Sequence, residues 1–451
     1  MNYQFPKDFL WGVAGSAFQM EGGMYEGGKG LNIREAAWLD PERRKNYQDD
    51  RSPEVSCDFY HKYPEDLALF RELGVKMFRF SIAWSRIFPD SGGKPCQAGI
   101  DYYNKMIDRM VELGIQPFFD LWHSDLPRWV LDLGGFPSED FVSRYADYAE
   151  TCFRAFGDRV KHWSTCNEPK LNTYGPYAFG RGAPYIKDLD LAMRATQNMI
   201  LAHFEAVRRL RRLWPDAKIG SVNNTGECYC LSFEREDMDA AARHSAMQYL
   251  FSDPMILGEY PKEAMAYPGL RRHIPDEMCR ELKEKFQPMD FLGCNYYCPG
   301  FVRAGNKSTY GTASFPVDLP KDAYPFYTYA PGLFDLLMNL KDRYDNLPVF
   351  ITENGYADRR EDVHNMDPAP FQHDVLRQNY IREHIRECGR ALRAGVALQG
   401  YFYWSAMDCW EGTMGYGYPM GLVAVNFDTL ERIPRDSFYY YQKIIRNNMV
   451  D

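Results

Sequence analysis

A (β/α)8 barrel of the α/β class, a TIM barrel, is the fold this sequence predicts, and three observations predict it. Short apolar runs alternate with longer amphipathic stretches along all 451 residues. Eight such runs can be counted in order. Polar and charged residues gather where the runs end, which in a parallel barrel is the face that carries active sites.

The eight runs are FLWGVAGSA (9–17), VKMFRFSIAW (75–84), QPFFDLW (116–122), VKHWSTCNE (160–168), KIGSVNN (218–224), DFLGCNYY (290–297), PVFITENG (348–355) and ALQGYFYWS (397–405). Near-continuous apolar runs fit parallel strands covered by helices on their outer face. A helical segment ending at Gly74 precedes the second run. Between the second and third runs, Tyr103, Met106, Ile107, Met110 and Val111 share one helical face, and Gly114 is placed to cap its end. Ser138 is expected to cap a helix reaching about Phe156, and a long helix is expected over about 190–213. A doubly wound open sheet is the structural alternative, but no GxGxxG follows a strand. No low-complexity segment or Pro/Gly/Ser-rich linker divides the chain, so residues 1–451 are expected to form one catalytic barrel domain.

Composition narrows the partners. Hydrophobic residues make up 45% and charged residues 25%, an ordinary globular balance that allows a large core. A net charge of −9 argues against nucleic acid, whose phosphates need a basic face. No apolar run approaches the roughly 18 residues of a membrane span, and MNYQFPKDFLWG does not read as a secretory signal, so none is expected. The 11 cysteines are scattered without metal-ligand spacing; Cys228 and Cys230 form a lone CxC. They read as reduced thiols of a cytoplasmic protein, with no metal or organic cofactor implied and the oligomeric state left open. Aromatic residues reach 16%, enough both to fill a core and to stack on sugar faces.

The strand ends supply the chemistry. His123, Asn167, Glu168, Asn295, Glu353 and Glu411 come from distant parts of the chain and converge on one face if the barrel closes. Two carboxyls are what hydrolysis of a glycosidic bond requires: one protonates the leaving oxygen, the other stabilises or attacks the anomeric carbon. Glu168 in TCNEP and Glu353 in ITENG each follow an apolar run directly. Pro169 ends the first run, and Gly355 is expected to let the chain turn away behind Glu353.

These segments resemble glycoside hydrolase family 1, the family of β-glucosidases, β-galactosidases and phospho-β-glycosidases. The resemblance runs from FPKDFLWGVAGSAFQMEGG to FDTLERIPRDSFYYYQKII, and is densest in residues 57–89, FGDRVKHWSTCNEP (156–169) and LPVFITENGYA (347–357). It implies a retaining β-glycosidase working on a small-molecule β-glycoside, with Glu168 as acid/base and Glu353 as nucleophile. It implies that Asn167 holds the sugar 2-hydroxyl, that Gln19 and His123 bind hydroxyls of the non-reducing sugar, and that Glu411 takes its 4- and 6-hydroxyls. Trp404 would form the floor under the sugar. Arg79 and Tyr297 would support Glu353 and keep it ionised, and Asn295 would support the site. On this expectation the nucleophile has a low pKa and the acid a raised one.

The sequence departs from the family's pattern around the sugar. Ser124 stands where a Trp usually follows the histidine, and Gly412 where a Trp usually follows the 4,6-binding Glu. Phe136 replaces the Trp of a GGW segment, and Tyr185 replaces a Gly. Loss of two Trp rings implies a wider pocket, expected near the sugar's 6-position, unless Trp410 or Met414 refills it. Admission of a 6-O-substituted sugar is the favoured explanation. A 6-phospho-β-glucosidase is the alternative within the family, but GYGYPMGL (415–422) holds neither the Ser nor the Lys that such members use. Thioglucosidases replace the acid by Gln, which Glu168 excludes. A sugar-binding barrel without activity is the remaining alternative, and the presence of both carboxyls speaks against it.

Overall fold

The computed structural model describes residues 2–305 and 310–451. Eight parallel strands close into a barrel: β1 Leu10–Ala14, β2 Met77–Ser81, β3 Gln116–Asp120, β4 His162–Asn167, β5 Lys218–Asn224, β6 Phe291–Asn295, β7 Val349–Asn354 and β8 Leu398–Trp404. Each lies within one of the eight apolar runs. Neighbours in sequence are neighbours in the barrel, and β8 closes on β1 with Gly400 opposite Leu10 and Trp404 opposite Ala14.

Helices follow each strand: α1 Phe59–Leu73, α2 Gln97–Glu112, α3 Phe141–Phe156 and α4 Leu189–Leu213, then α5 Arg235–Gln248 and α6 Asp276–Lys285 between β5 and β6. The last three are α7 Pro331–Arg343, α8 Val375–Arg393 and α9 Asp436–Asn447. On α2, Tyr103, Met106, Ile107 and Met110 are buried as their spacing predicts, but Val111 is exposed. At about 100° per residue Val111 lies ~80° from Tyr103, at the edge of the apolar stripe. Gly114 takes a positive φ of 72° and closes the helix end with its N–H on Val111. Ser138 does not cap α3. Asp140 occupies the N-cap position, and Ser138 contributes its carbonyl to the Phe141 N–H rather than its hydroxyl.

The period of two along a strand separates two cores. Phe78 and Phe80 of β2 face the helices, whereas Met77 and Arg79 face the barrel axis. Around that axis Phe118, Phe291, Phe350 and Phe402 meet edge to face, with centroids 5.5 Å apart for Phe118–Phe291 and 5.1 Å for Phe291–Phe350. These rings plug the barrel, so it is a packed layer rather than a pore. Two residues on from Met77, Phe118 and Phe402 of this layer, Arg79, Asp120 and Trp404 stand above the plug and begin the site.

Candidate active site

A cavity of about 310 Å³ opens at the C-terminal ends of the strands. Gln19, His123, Asn167, Glu168, Tyr297, Glu353, Trp404 and Glu411 all line it. Arg79 and Asn295 are fully buried directly behind them. All ten residues singled out from the sequence therefore meet at one place.

Two irregularities aim the key side chains. β4 shifts register between Ser164 and Asn167, and β7 shifts between Ile351 and Glu353. Such shifts re-aim side chains beside active sites. Glu168 itself takes a positive φ of 49° before Pro169 turns the chain. Gly355 is required for close approach rather than for a turn: a Cβ there would sit 1.8 Å from the Trp404 carbonyl oxygen.

A buried network ties the two carboxyls together. Arg79 donates through Nη1 to Glu353 Oε1 at 2.7 Å and through Nη2 to Asn167 Oδ1 at 2.7 Å. Asn295 Nδ2 donates to the same Asn167 oxygen at 3.0 Å and to Glu168 Oε1 at 2.9 Å. Thr352 Oγ1 donates to Asn295 Oδ1 at 2.7 Å, which fixes the orientation of that amide. Tyr297 donates its hydroxyl to Glu353 Oε2 at 2.8 Å. Asn224 adds a longer contact to Glu168 Oε1 at 3.4 Å.

The electrostatics correct one expectation. Burial pushes the Glu353 carboxyl up, to about 8, and the Glu168 charge adds to this, while Arg79 and Tyr297 pull it down. The donors moderate the desolvation without cancelling it, because Arg79 is shared. Its Nη2 also lies 2.6 Å from Asp120 Oδ2. Burial disfavours the Asp120 charge, but Arg79, His123 and Ser164 outweigh it and hold this carboxyl below its ordinary value. Burial thus outweighs Arg79 and Tyr297 at Glu353, where the sequence led to the expectation of a low pKa.

The opposite wall is built for hydroxyl groups. His123 stacks on Trp404, rings 5.5 Å apart and 10° from parallel, and its Nε2 lies 3.2 Å from Asn167 Nδ2. Burial lowers the His123 pKa against a hydrogen bond with Asp120 that raises it, and the Asn167 amide can donate only to a ring whose Nε2 carries no proton. Gln19 Nε2 donates to Glu411 Oε2 at 3.1 Å, with Ser16 donating to Gln19 Oε1. Burial pushes Glu411 up to about 7, against hydrogen bonds from Cys409, Trp404 and Gln19.

Several lining groups escaped the sequence reading. Asp120, buried behind the lining at the end of β3, was open to the same strand-end argument. Asn224 ends β5 in the same way. Tyr324, Phe326 and Met420 also line the cavity, but they lie outside the eight strands, where no periodicity marks them. Arg34 lies on the short helix Ile33–Leu39 and lines the pocket from outside the barrel.

The wide corner is open. A Cβ on Gly412 would meet nothing within 4 Å. Trp410 does not refill the space; it is buried against Phe18, Trp38 and Tyr47. Phe136 lies apart in the core, its ring 5.2 Å from Trp122.

Among the described residues no group of His, Cys, Asp and Glu could hold a metal ion, and no helix is long and apolar enough to cross a membrane.

A closed (β/α)8 barrel with two networked carboxyls in a polar pocket defines the class, a barrel hydrolase of the paired-carboxyl kind. The profile of "Glycosyl hydrolase family 1" matches residues 1–450, and the chain belongs to that family of glycoside hydrolases. It is 36% identical over 447 residues to the 1,4-beta-D-glucan glucohydrolase of Thermotoga neapolitana, covering 99% of each chain. It is 34% identical over 460 residues to a 6-phospho-beta-glucosidase of Bacillus subtilis, covering 99% of this chain and 98% of that one. The family 1 β-glucosidase structure from Thermotoga maritima superposes with a TM-score of 0.93 at 35% identity, covering 100% of this chain and 99% of that one.

Proposed function

We propose that the protein is a retaining β-glycosidase acting on unphosphorylated β-glucosides or close relatives, in one catalytic domain spanning residues 1–451. The observation that carries this reading is the shared network: Asn167 accepts from both Arg79, which holds Glu353, and Asn295, which holds Glu168. Both carboxyls are thus held toward one reacting centre. Glu353 in its ionised form attacks the anomeric carbon while Glu168 gives its proton to the departing glycosidic oxygen. The glycosyl ester to Glu353 forms as the aglycone leaves as an alcohol. Glu168, now ionised, takes a proton from water, which attacks the same carbon and frees Glu353. Asn167 Nδ2 has a second N–H for the sugar 2-hydroxyl, where hydrogen bonding strengthens in the transition state.

Glu411 argues against a 6-phosphate, because a carboxylate in the 4,6-corner repels it. Residues 415–422 also offer no Ser or Lys to hold one. All eleven cysteines are unpaired, which supports a reducing, cytoplasmic location. Proton NMR of early product from p-nitrophenyl β-glucoside tests the reading. β-Glucose must appear first and mutarotate afterwards; α-glucose as first product would overturn it.

A further inference from the structure

The pocket does not end at the corner left by the missing Trp rings. A second cavity, of about 520 Å³, adjoins it, and Arg34, Ser124, Asn172 and Thr413 line both. Three of the four departures from the family pattern converge here: Ser124 and Tyr185 line the second cavity, and Gly412 stands beside Thr413 at the junction. Residues far apart in sequence have thus changed around one space.

Its chemistry is cationic. Arg34, Arg43 and Arg181 line it, and no Asp or Glu does. Among the described residues none of the three makes an ion pair. Arg34 gives one N–H to Asn172 Oδ1 at 3.0 Å. Arg43 lies over the Tyr185 ring, 3.9 Å from its centroid, and Arg181 lies 5.5 Å from the centre of the Phe179 ring. Stacking on aromatic faces holds a guanidinium in place while leaving its N–H edge free for an oxyanion. Most other arginines of this protein meet carboxylates, as Arg79, Arg86, Arg343, Arg377 and Arg435 do.

The junction also indicates which edge of the sugar faces the cavity. Ser124 follows His123, whose ring contacts Asn167 at the proposed 2-hydroxyl end. Thr413 follows Glu411 and Gly412 at the proposed 4,6-end. On the hydroxyl positions proposed above, the opening between these two ends corresponds to the 3- and 4-hydroxyl edge of the sugar.

Building on the β-glycosidase reading above, we propose that this cavity is a subsite for an oxyanion, a carboxylate or sulfate, carried on the 3- or 4-hydroxyl side of the glycone. The enzyme would then release an acidic sugar unit whole from its aglycone.

The test compares p-nitrophenyl β-laminaribioside and β-cellobioside with counterparts whose outer glucose is oxidised to glucuronate. A p-nitrophenyl β-glucoside 3-O-sulfate and plain p-nitrophenyl β-glucoside complete the set. The expected result is direct release of nitrophenol and an intact acidic disaccharide, seen by mass spectrometry. Its kcat/KM should exceed that of the neutral disaccharide about tenfold or more. In wild type that advantage should shrink severalfold on raising salt from about 0.05 to 0.5 M, because partly exposed charges are screened. Arg43→Met and Arg181→Met should each reduce the acidic-to-neutral ratio. A gain for the sulfate alone would place the oxyanion directly on the glycone and still support the subsite. Equal or better use of the neutral disaccharides, or a salt-independent ratio, would overturn the proposal and make the cavity a neutral sugar subsite. Failure to hydrolyse plain p-nitrophenyl β-glucoside together with all the disaccharides would overturn the underlying β-glycosidase reading as well.

Discussion

Arg79 contacts Glu353 Oε1 at 2.7 Å and Asp120 Oδ2 at 2.6 Å, so one buried cation faces two buried carboxylates. It also holds Asn167 at 2.7 Å, which makes its planar fork the geometric centre of the site. A lysine ammonium is a point charge and cannot span three partners. Arg79→Lys should therefore lower kcat/KM on p-nitrophenyl β-glucoside by about ten- to a hundredfold, about 1.4–2.7 kcal/mol, the scale of a hydrogen bond to a charged group. Wild-type kinetics in this variant would mean that orientation by the fork is unimportant.

Tyr297→Phe addresses the charge on Glu353. The carboxyl must be ionised to attack, so activity falls as pH drops through its pKa. The Tyr297 hydroxyl lowers that pKa against the larger effect of burial. Its removal should move the acidic limb of the kcat/KM profile to higher pH, and a shift to lower pH would contradict the assignment.

The same raised carboxyl carries a stability signature. Its folded pKa of about 8 lies above the ordinary 4.5. Between those values the folded protein binds more protons than the unfolded chain, so the wild type loses stability as pH rises through that window. Glu353→Gln cannot ionise. The Tm difference, variant minus wild type, should therefore grow between about pH 5 and pH 8. A constant or shrinking difference would show that Glu353 is not strained by burial.

The barrel was legible because eight apolar runs alternate with amphipathic stretches, and the site because polar residues gather at the C-terminal ends of several of them. Asn167, Glu353 and Trp404 are the ends of β4, β7 and β8 or lie within one residue of them. Glu168 and Asn295 follow the same logic. The pKa of Glu353 was not legible, because it depends on depth of burial and on Arg79 being shared with Asp120, and neither has a sequence pattern. The second cavity was hidden for another reason. Its arginines come from the short helices Ile33–Leu39 and Pro41–Arg44 and a loop near 181, none of which the strand pattern marks. The small residues at 124 and 412 hinted at extra room, but only the folded chain brings them, together with Tyr185, to one place.

A phosphate comparison separates the two family readings. Glu411 lines the pocket and residues 415–422 hold no Ser or Lys. Plain p-nitrophenyl β-glucoside should show a higher kcat/KM than its 6-phosphate, by about tenfold or more above pH 7, where Glu411 is ionised and repels the phosphate. A ratio favouring the phosphate would assign the enzyme to the phospho-β-glucosidases.

The most direct test of the central claim, that Glu353 is the nucleophile of a retaining β-glycosidase, is chemical rescue of Glu353→Gly. Without the carboxylate, turnover of an activated β-glucoside should fall by several orders of magnitude, about 10⁴-fold or more. Azide can enter the space that Glu353 leaves and attack the anomeric carbon from the same face. The account predicts restored release of the aglycone and a glucosyl azide of α configuration. A β-glucosyl azide from this variant would contradict it, because it would place the attacking carboxylate elsewhere.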